Sequence, residues 1–218
     1  MHALAVRERS DLGEPVIALT FDDGPSQWTD PVLDVLRDQG IRATFFVIGD
    51  NIPGREHTLR RIHREGHEVG NHTRRHPNLV EVEIAPDDLS RELAFTNVAI
   101  EDVIGVTPRV FRPPYLVHDD TVATVAGECG FAHLILASVS TNDWDETEPS
   151  AIAEQIVEQA RPGSIIDLHD GRPPHTPRYG EGGSREDRAP TVAAVGQIVP
   201  RLRAAGFTFL TVSELLAL

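Results

Sequence analysis

The chain predicts an α/β fold, a distorted (β/α) barrel with about seven parallel strands. Three observations lead there. Apolar runs alternate with amphipathic stretches, one unit about every 30 residues, the length of a strand plus a crossover helix. At 218 residues the chain can bury a sizeable core and still close as one domain. The unusual polar residues fall at the ends of successive apolar runs, and in a parallel barrel those strand ends open on one face.

Residues 1–15 read as an N-terminal extension to a domain over residues 16–218. Residues 16–21 alternate large apolar side chains (Ile17, Leu19, Phe21) with small or polar ones (Ala18, Thr20), and Asp22 continues the pattern. That is a strand with helices on one face and a tight interior on the other. Thr29 is placed to cap a helix to about Gln39, with Pro31 in its first turn and Gly40 as its stop. A second strand follows over 43–48. Helix 55–65 leads to strand 67–71, and helix 86–104 to strand 109–112. Helix 121–128, strand 133–138, helix 149–159, strand 164–168, helix 191–205, strand 208–211 and a short helix from Ser213 complete the alternation. Residues 171–190 break it: polar, rich in Pro and Gly and without periodicity, they read as a functional loop insertion.

A net charge of -14 removes the electrostatic attraction on which general nucleic-acid binding depends, so no nucleic-acid partner is expected. All 20 basic residues are Arg, which reads as a coding bias of the source rather than as chemistry. Cys129 is the only cysteine, so no intrachain disulfide forms; at the end of a helix-like run it reads as a buried, inert thiol. No apolar run approaches the roughly 18 residues of a membrane span. Residues 1–15 lack a basic segment followed by a long apolar one. The chain as written therefore reads as cytoplasmic, or as extracellular or of the cell envelope if a leader was left out. A monomer is the default oligomeric state.

The chemistry gathers on Asp22 and Asp23, two adjacent carboxylates carried by an apolar run into a Gly-Pro turn. Such a pair is unfavourable to build without a use. His72 and His76 form an H-x-x-x-H pair, a spacing that predicts two imidazoles on one side of a helical turn, in reach of one metal ion. Among ten histidines that spacing alone reads equally well as solvated loop residues; beside a strand end and a carboxylate pair it reads as ligands. Two His and one Asp leave open positions on a metal, as in catalytic zinc sites. A bound cation lets one aspartate be a ligand while the other stays ionised as a base toward water. Arg112, Asp143 and His169 lie at or just past the ends of later strands. The other histidines, His2, His57, His63, His67, His118, His133 and His175, read as surface or satisfied core residues.

On these residues the chain resembles the polysaccharide deacetylases with a NodB-homology domain, carbohydrate esterase family 4. The resemblance runs over about residues 16–215 and takes in all five family motifs. TFDDGPS, residues 20–26, resembles the first, which implies Asp22 as general base and Asp23 as metal ligand. HTRRH, residues 72–76, resembles the second, with His72 and His76 as ligands and Thr73 stabilising the loop. RPPY, residues 112–115, resembles the third. It implies that Arg112 orients Asp22, that Pro114 contacts substrate and that the Tyr115 backbone N–H helps hold the oxyanion. NDWD, residues 142–145, resembles the fourth, with Asp143 tuning the catalytic histidine and Trp144 walling the site. LHD, residues 168–170, resembles the fifth, with His169 as general acid and Leu168 lining the acetyl pocket. Trp28, just past the first motif, either stacks on a sugar ring or covers the barrel rim.

The resemblance implies one divalent metal ion, Zn2+ first, with Co2+, Ni2+ or Mn2+ as alternatives, and a glycan partner bearing N-acetyl groups. The implied activity is N-deacetylation of N-acetylglucosamine-containing glycans: peptidoglycan, chitin or chitooligosaccharides. O-deacetylation of acetylated xylan is the same-family alternative. A non-haem iron oxygenase also uses two His and one carboxylate, but the second aspartate and the Asp143 and His169 pair argue against it. An inactive glycan-binding module would be expected to lack a motif residue, and none is missing. Three features depart from the family pattern. Leu116 stands where Gly is common after RPPY. Asp167 stands where an apolar residue is usual; by strand alternation it shares the face of His169, either as a second carboxylate beneath the acid or tilted outward. The 171–190 loop is long and is expected to wall one side of the substrate groove.

Overall fold

A computed structural model describes residues 2–81, 84–174 and 185–218. In chain order the elements are β1 (Leu4–Val6), β2 (Val16–Gly24), α1 (Thr29–Gln39), β3 (Thr44–Val47), α2 (Glu56–Arg64), β4 (Glu68–Asn71), α3 (Pro86–Ile104) and α4 (Asp120–Glu128). They continue with β5 (His133–Ile135), β6 (Val139–Ser140), α5 (Pro149–Gln159), β7 (Ile165–His169), α6 (Ala189–Ala204), β8 (Thr208–Leu210) and α7 (Val212–Leu216). Among the described residues all ladders are parallel, with one isolated antiparallel bridge between Glu8 and Ser164. The main sheet runs β4-β3-β2-β7-β6 with β8 also against β2, and β1 pairs with β5. Phe111 links the two sheets through single bridges to Asn71 and Leu134.

β2 is the central strand, buried along its whole length. Its alternation sorts the two faces as the sequence predicts. Ile17, Leu19 and Phe21 pack outward into a core shared with Leu33 and Leu36 of α1 and with Val195 and Ile198 of α6. Each such side chain taken from water contributes about 1.5–3 kcal/mol. Val16 and Ala18 face inward against Phe46, Val110 and Ile135. Thr20 and Asp22 continue that inward row and meet Arg112.

Four elements differ from expectation. Residues 4–6, within the expected N-terminal extension, form a strand of the body paired with β5. The strand expected over 109–112 shrinks to the bridges at Phe111, because prolines at 108, 113 and 114 withhold N–H groups on both sides. The strand expected over 133–138 ends at Ile135 as β5, since the carbonyls of Ile135 and Leu136 turn to accept Arg112, and β6 begins only beyond it. Thr29 is the first helical residue rather than the cap; its hydroxyl accepts the Ser26 N–H and donates to Asp170. Of the 171–190 loop, residues 175–184, His175 included, lie outside the described residues. Among the described residues no helix is long and apolar enough to cross a membrane. Cys129 is half-buried, its sulfur 3.6 Å from the Ser90 hydroxyl.

Candidate active site

Neighbouring residues of a strand point to opposite faces, yet Asp22 and Asp23 reach one site. The register between β2 and β3 slips there: Asp22 pairs with Phe46 and Gly24 with Val47, leaving Asp23 as an extra residue. Asp23 takes φ 72°, and this bulge turns its side chain toward the face that Asp22 occupies. Gly24 follows because a Cβ there would run into the carboxylate of Asp170.

Asp23, His72 and His76 present donor atoms within 4.8 Å of one another. His72 Nε2 lies 3.5 Å from Asp23 Oδ1, and His76 Nε2 lies 3.4 Å from it. His72 Nδ1 donates to the Arg112 carbonyl at 2.8 Å, which fixes the tautomer with a bare Nε2 aimed at the site. Burial first, then the neighbouring His76, pushes the His72 pKa well down; burial likewise lowers that of His76. Both rings are therefore neutral, the form that ligates. Asp23 Oδ1 and His76 Nδ1 are buried with no hydrogen-bond partner among the described residues. Orphaned buried donors and acceptors of this kind fit a divalent cation.

The two histidines are not on a helical turn, as their spacing suggests. Thr73 (φ 65°) and His76 (φ 62°) are both left-handed, and the segment is an irregular loop. α3 holds it in place. The buried Glu92 accepts the N–H groups of Arg74 and Arg75 at 3.0 and 2.9 Å, and Asn71 donates to the Leu93 carbonyl while accepting the Thr73 N–H. Thr73 Oγ1 accepts the His76 N–H, the stabilising role expected of it.

Across the site Arg112 is wholly buried and lies over the Phe46 ring at 4.2 Å. Its Nη1 donates to Asp22 Oδ1 at 2.8 Å and to Thr20 Oγ1 at 2.7 Å. Burial pushes the Asp22 carboxyl well above the ordinary range, and the Arg112 guanidinium opposes that rise. His169 ends β7 directly opposite Asp22 in the ladder. Its Nδ1 donates to Asp143 Oδ1 at 2.8 Å and its backbone N–H to Asp143 Oδ2 at 3.0 Å; the Thr191 hydroxyl holds the same Oδ2 at 2.8 Å. Burial opposes the imidazolium, but Asp143, then Asp167, overrides it and lifts His169 to about 10.

Tyr115 follows Pro114 in a tight turn at the rim, with φ 60°, and its exposed ring meets the His76 ring edge-on at 4.7 Å. Leu116 is left-handed too, at φ 59°, a conformation that explains why glycine suits that position. Leu168 is fully buried in the helix-facing core, backing the site without exposing surface to it. Trp28 and Trp144 are tied to the far end of the loop: the Trp28 indole N–H donates to the Glu186 carbonyl, and the Trp144 carbonyl accepts from Arg188. Arg188 is buried and also donates to the carbonyls of Gly171, Arg185 and Asp187, so it clamps the two ends of the loop together. A Cβ on Gly171 would overlap the Asp23 carbonyl. Gly171→Ala is therefore expected to destabilise the fold by about 1–3 kcal/mol and to weaken metal retention, read by thermal unfolding and metal analysis.

A sequence profile described as polysaccharide deacetylase matches residues 9–134. The chitooligosaccharide deacetylase of Sinorhizobium fredii is 39% identical over 201 residues, 91% of each chain. The structure of the Bc1960 peptidoglycan N-acetylglucosamine deacetylase superposes with a TM-score of 0.84 at 31% identity, covering 98% of this chain and 92% of that one. A family 4 acetyl xylan esterase from Clostridium thermocellum, solved with a cobalt ion, gives a TM-score of 0.80 at 31% identity over 93% of this chain and 90% of its own.

Proposed function

We propose a function from one premise: the chain belongs to the polysaccharide deacetylase family. It is a metal-dependent hydrolase that removes N-acetyl groups from N-acetylglucosamine-containing glycans, the substrate class named for its chitooligosaccharide- and peptidoglycan-deacetylating relatives. One observation carries the reading: a proton acceptor, Asp22 on Arg112, and a proton donor, His169 on Asp143, stand beside the triad of Asp23, His72 and His76.

Asp23, His72 and His76 would hold the ion, zinc in this reading, with cobalt, nickel or manganese as alternatives. When bound it supplies Lewis acidity toward the acetyl carbonyl and makes water easier to deprotonate. Asp22 takes a proton from the attacking water, whose oxygen bonds to the acetyl carbon. The Tyr115 backbone N–H donates to the carbonyl oxygen as that atom gains charge. His169 passes its proton to the amide nitrogen while the C–N bond breaks, releasing acetate and the free amine. An ester leaving group needs the same proton, so xylan O-deacetylation, the activity named for the Clostridium thermocellum esterase, is the alternative. Acetate release from chitooligosaccharides, peptidoglycan and acetylated xylan separates the two, and release from xylan alone would refute the N-deacetylase reading.

The acid role has its own test. Because the folded pKa of His169 is raised to about 10, the ring is charged at neutral pH, and the acid is lost as pH rises through that value. Asp143→Asn removes the main cause. It is expected to lower kcat by about 10²-fold and to move the alkaline limb of the kcat–pH profile to lower pH. An unmoved limb would take the acid role away from His169.

A further inference from the structure

Asp167 is a buried carboxylate of the site with no part in the mechanism above. It is 3% exposed and sits two residues before His169 on the same face of β7, opposite Thr20 of β2. Its Oδ1 accepts Arg112 Nη1 at 3.1 Å, and its Oδ2 accepts the Ser140 hydroxyl at 3.1 Å. It points inward, beneath the acid. Asp22, Asp167 and His169 offer donor atoms within 4.8 Å of one another, as a second metal site would. A cation is already there, however: Nη1 of Arg112 touches both Asp22 and Asp167. The remaining Arg112 nitrogens are spent on the carbonyls of Ile135 and Leu136, so the guanidinium is held from every side.

We infer that Asp167 is a positioning residue of the deacetylation reaction, acting through Arg112 and His169 rather than on substrate. It shares Nη1 of Arg112 with Asp22 and so fixes the guanidinium that orients the base. It also places a second negative charge under the His169 ring, so that one side chain couples the holder of the base to the acid. In a buried site such a charge acts at short range with little screening.

The effect on His169 must be set against its other neighbours. Asp143 is the direct partner, and Asp22, Asp23 and Asp170 also act on the ring. Arg112 bonds both Asp22 and Asp167, and His72 and His76, neutral as ligands, also act on the ring. Asp167 follows Asp143 in effect, so its removal shifts the ring's titration less than removal of Asp143 does.

Asp167→Asn keeps the shape and an oxygen for Arg112 while removing the charge. The inference rests on the deacetylase reading. For the metal-loaded enzyme it predicts a fall in kcat of about tenfold, KM within about twofold, and an alkaline limb moved to lower pH by about half a unit or more. Any other pattern in the folded variant, including a lower kcat with the limb fixed or a rise in KM alone, overturns it. NMR titration of the His169 ring reads the same shift without substrate. A wild type that releases no acetate would thus sink the functional reading while the ring titration still decides this one. Should Asp167→Asn fail to fold, Ser140→Ala, which frees Oδ2 of Asp167, takes its place: a smaller shift of the His169 titration supports the inference and none overturns it.

Discussion

Asp22→Asn is expected to reduce acetate release by about 10²–10⁴-fold while the protein keeps its metal. The amide preserves the shape of the carboxylate and can still accept from Arg112, so the wholly buried guanidinium is not left bare. What disappears is the ability to take a proton from water. Asp22 Oδ2 lies 3.6 Å from His72 Nε2, but the orphaned buried oxygen of the triad belongs to Asp23, which is why metal retention should survive. Metal analysis alongside acetate release makes the measurement. Full activity in the variant would end the assignment of Asp22 as base, and loss of metal would move it into the ligand set.

His72→Ala should lose metal and activity together. The ring is the hinge between two parts of the site: Nε2 faces Asp23, and Nδ1 binds the carbonyl of Arg112, the residue that holds the base. Removing it leaves the Arg112 carbonyl unsatisfied in a buried place as well as deleting a proposed ligand. The expected readout is a metal content near zero after dialysis and acetate release at background. A variant that retained stoichiometric metal would show that the ion is held elsewhere.

Much of this was legible in the sequence because β2 announces itself twice, by strict alternation at Ile17, Leu19 and Phe21 and by the carboxylates that end it. The helices were legible to within a few residues, since amphipathic stretches with Pro at the start and Gly at the stop leave little choice of boundary. The weaker strands were not. Three-residue pieces such as β1 and β5 are shorter than any periodicity can resolve, and the break after Ile135 is imposed by Arg112, a residue more than 20 positions away. Spacing alone placed His72 and His76 together but gave the wrong backbone, because nothing in H-x-x-x-H reveals that Thr73 and His76 are left-handed. Glu92 and Arg188 were missed for related reasons. A glutamate in an amphipathic helix looks solvent-facing until the loop it caps is known, and an arginine at the end of an aperiodic loop carries no pattern at all.

Among the described residues, the non-glycine positions with positive φ are Asp23, Thr73, His76, Tyr115 and Leu116, and every one is at or beside the site. Each such conformation opposes folding by about 1–3 kcal/mol, against a net stability of about 5–15 kcal/mol for a typical domain. Selection for heat resistance would therefore be drawn to the mouth of the barrel, where glycine relieves most. At Asp23 and His76 that relief removes a proposed metal ligand, and at Thr73 it removes the hydroxyl that accepts the His76 N–H. Leu116, whose side chain has no part in the proposed mechanism, is a position at which hardening the fold and keeping the enzyme do not conflict.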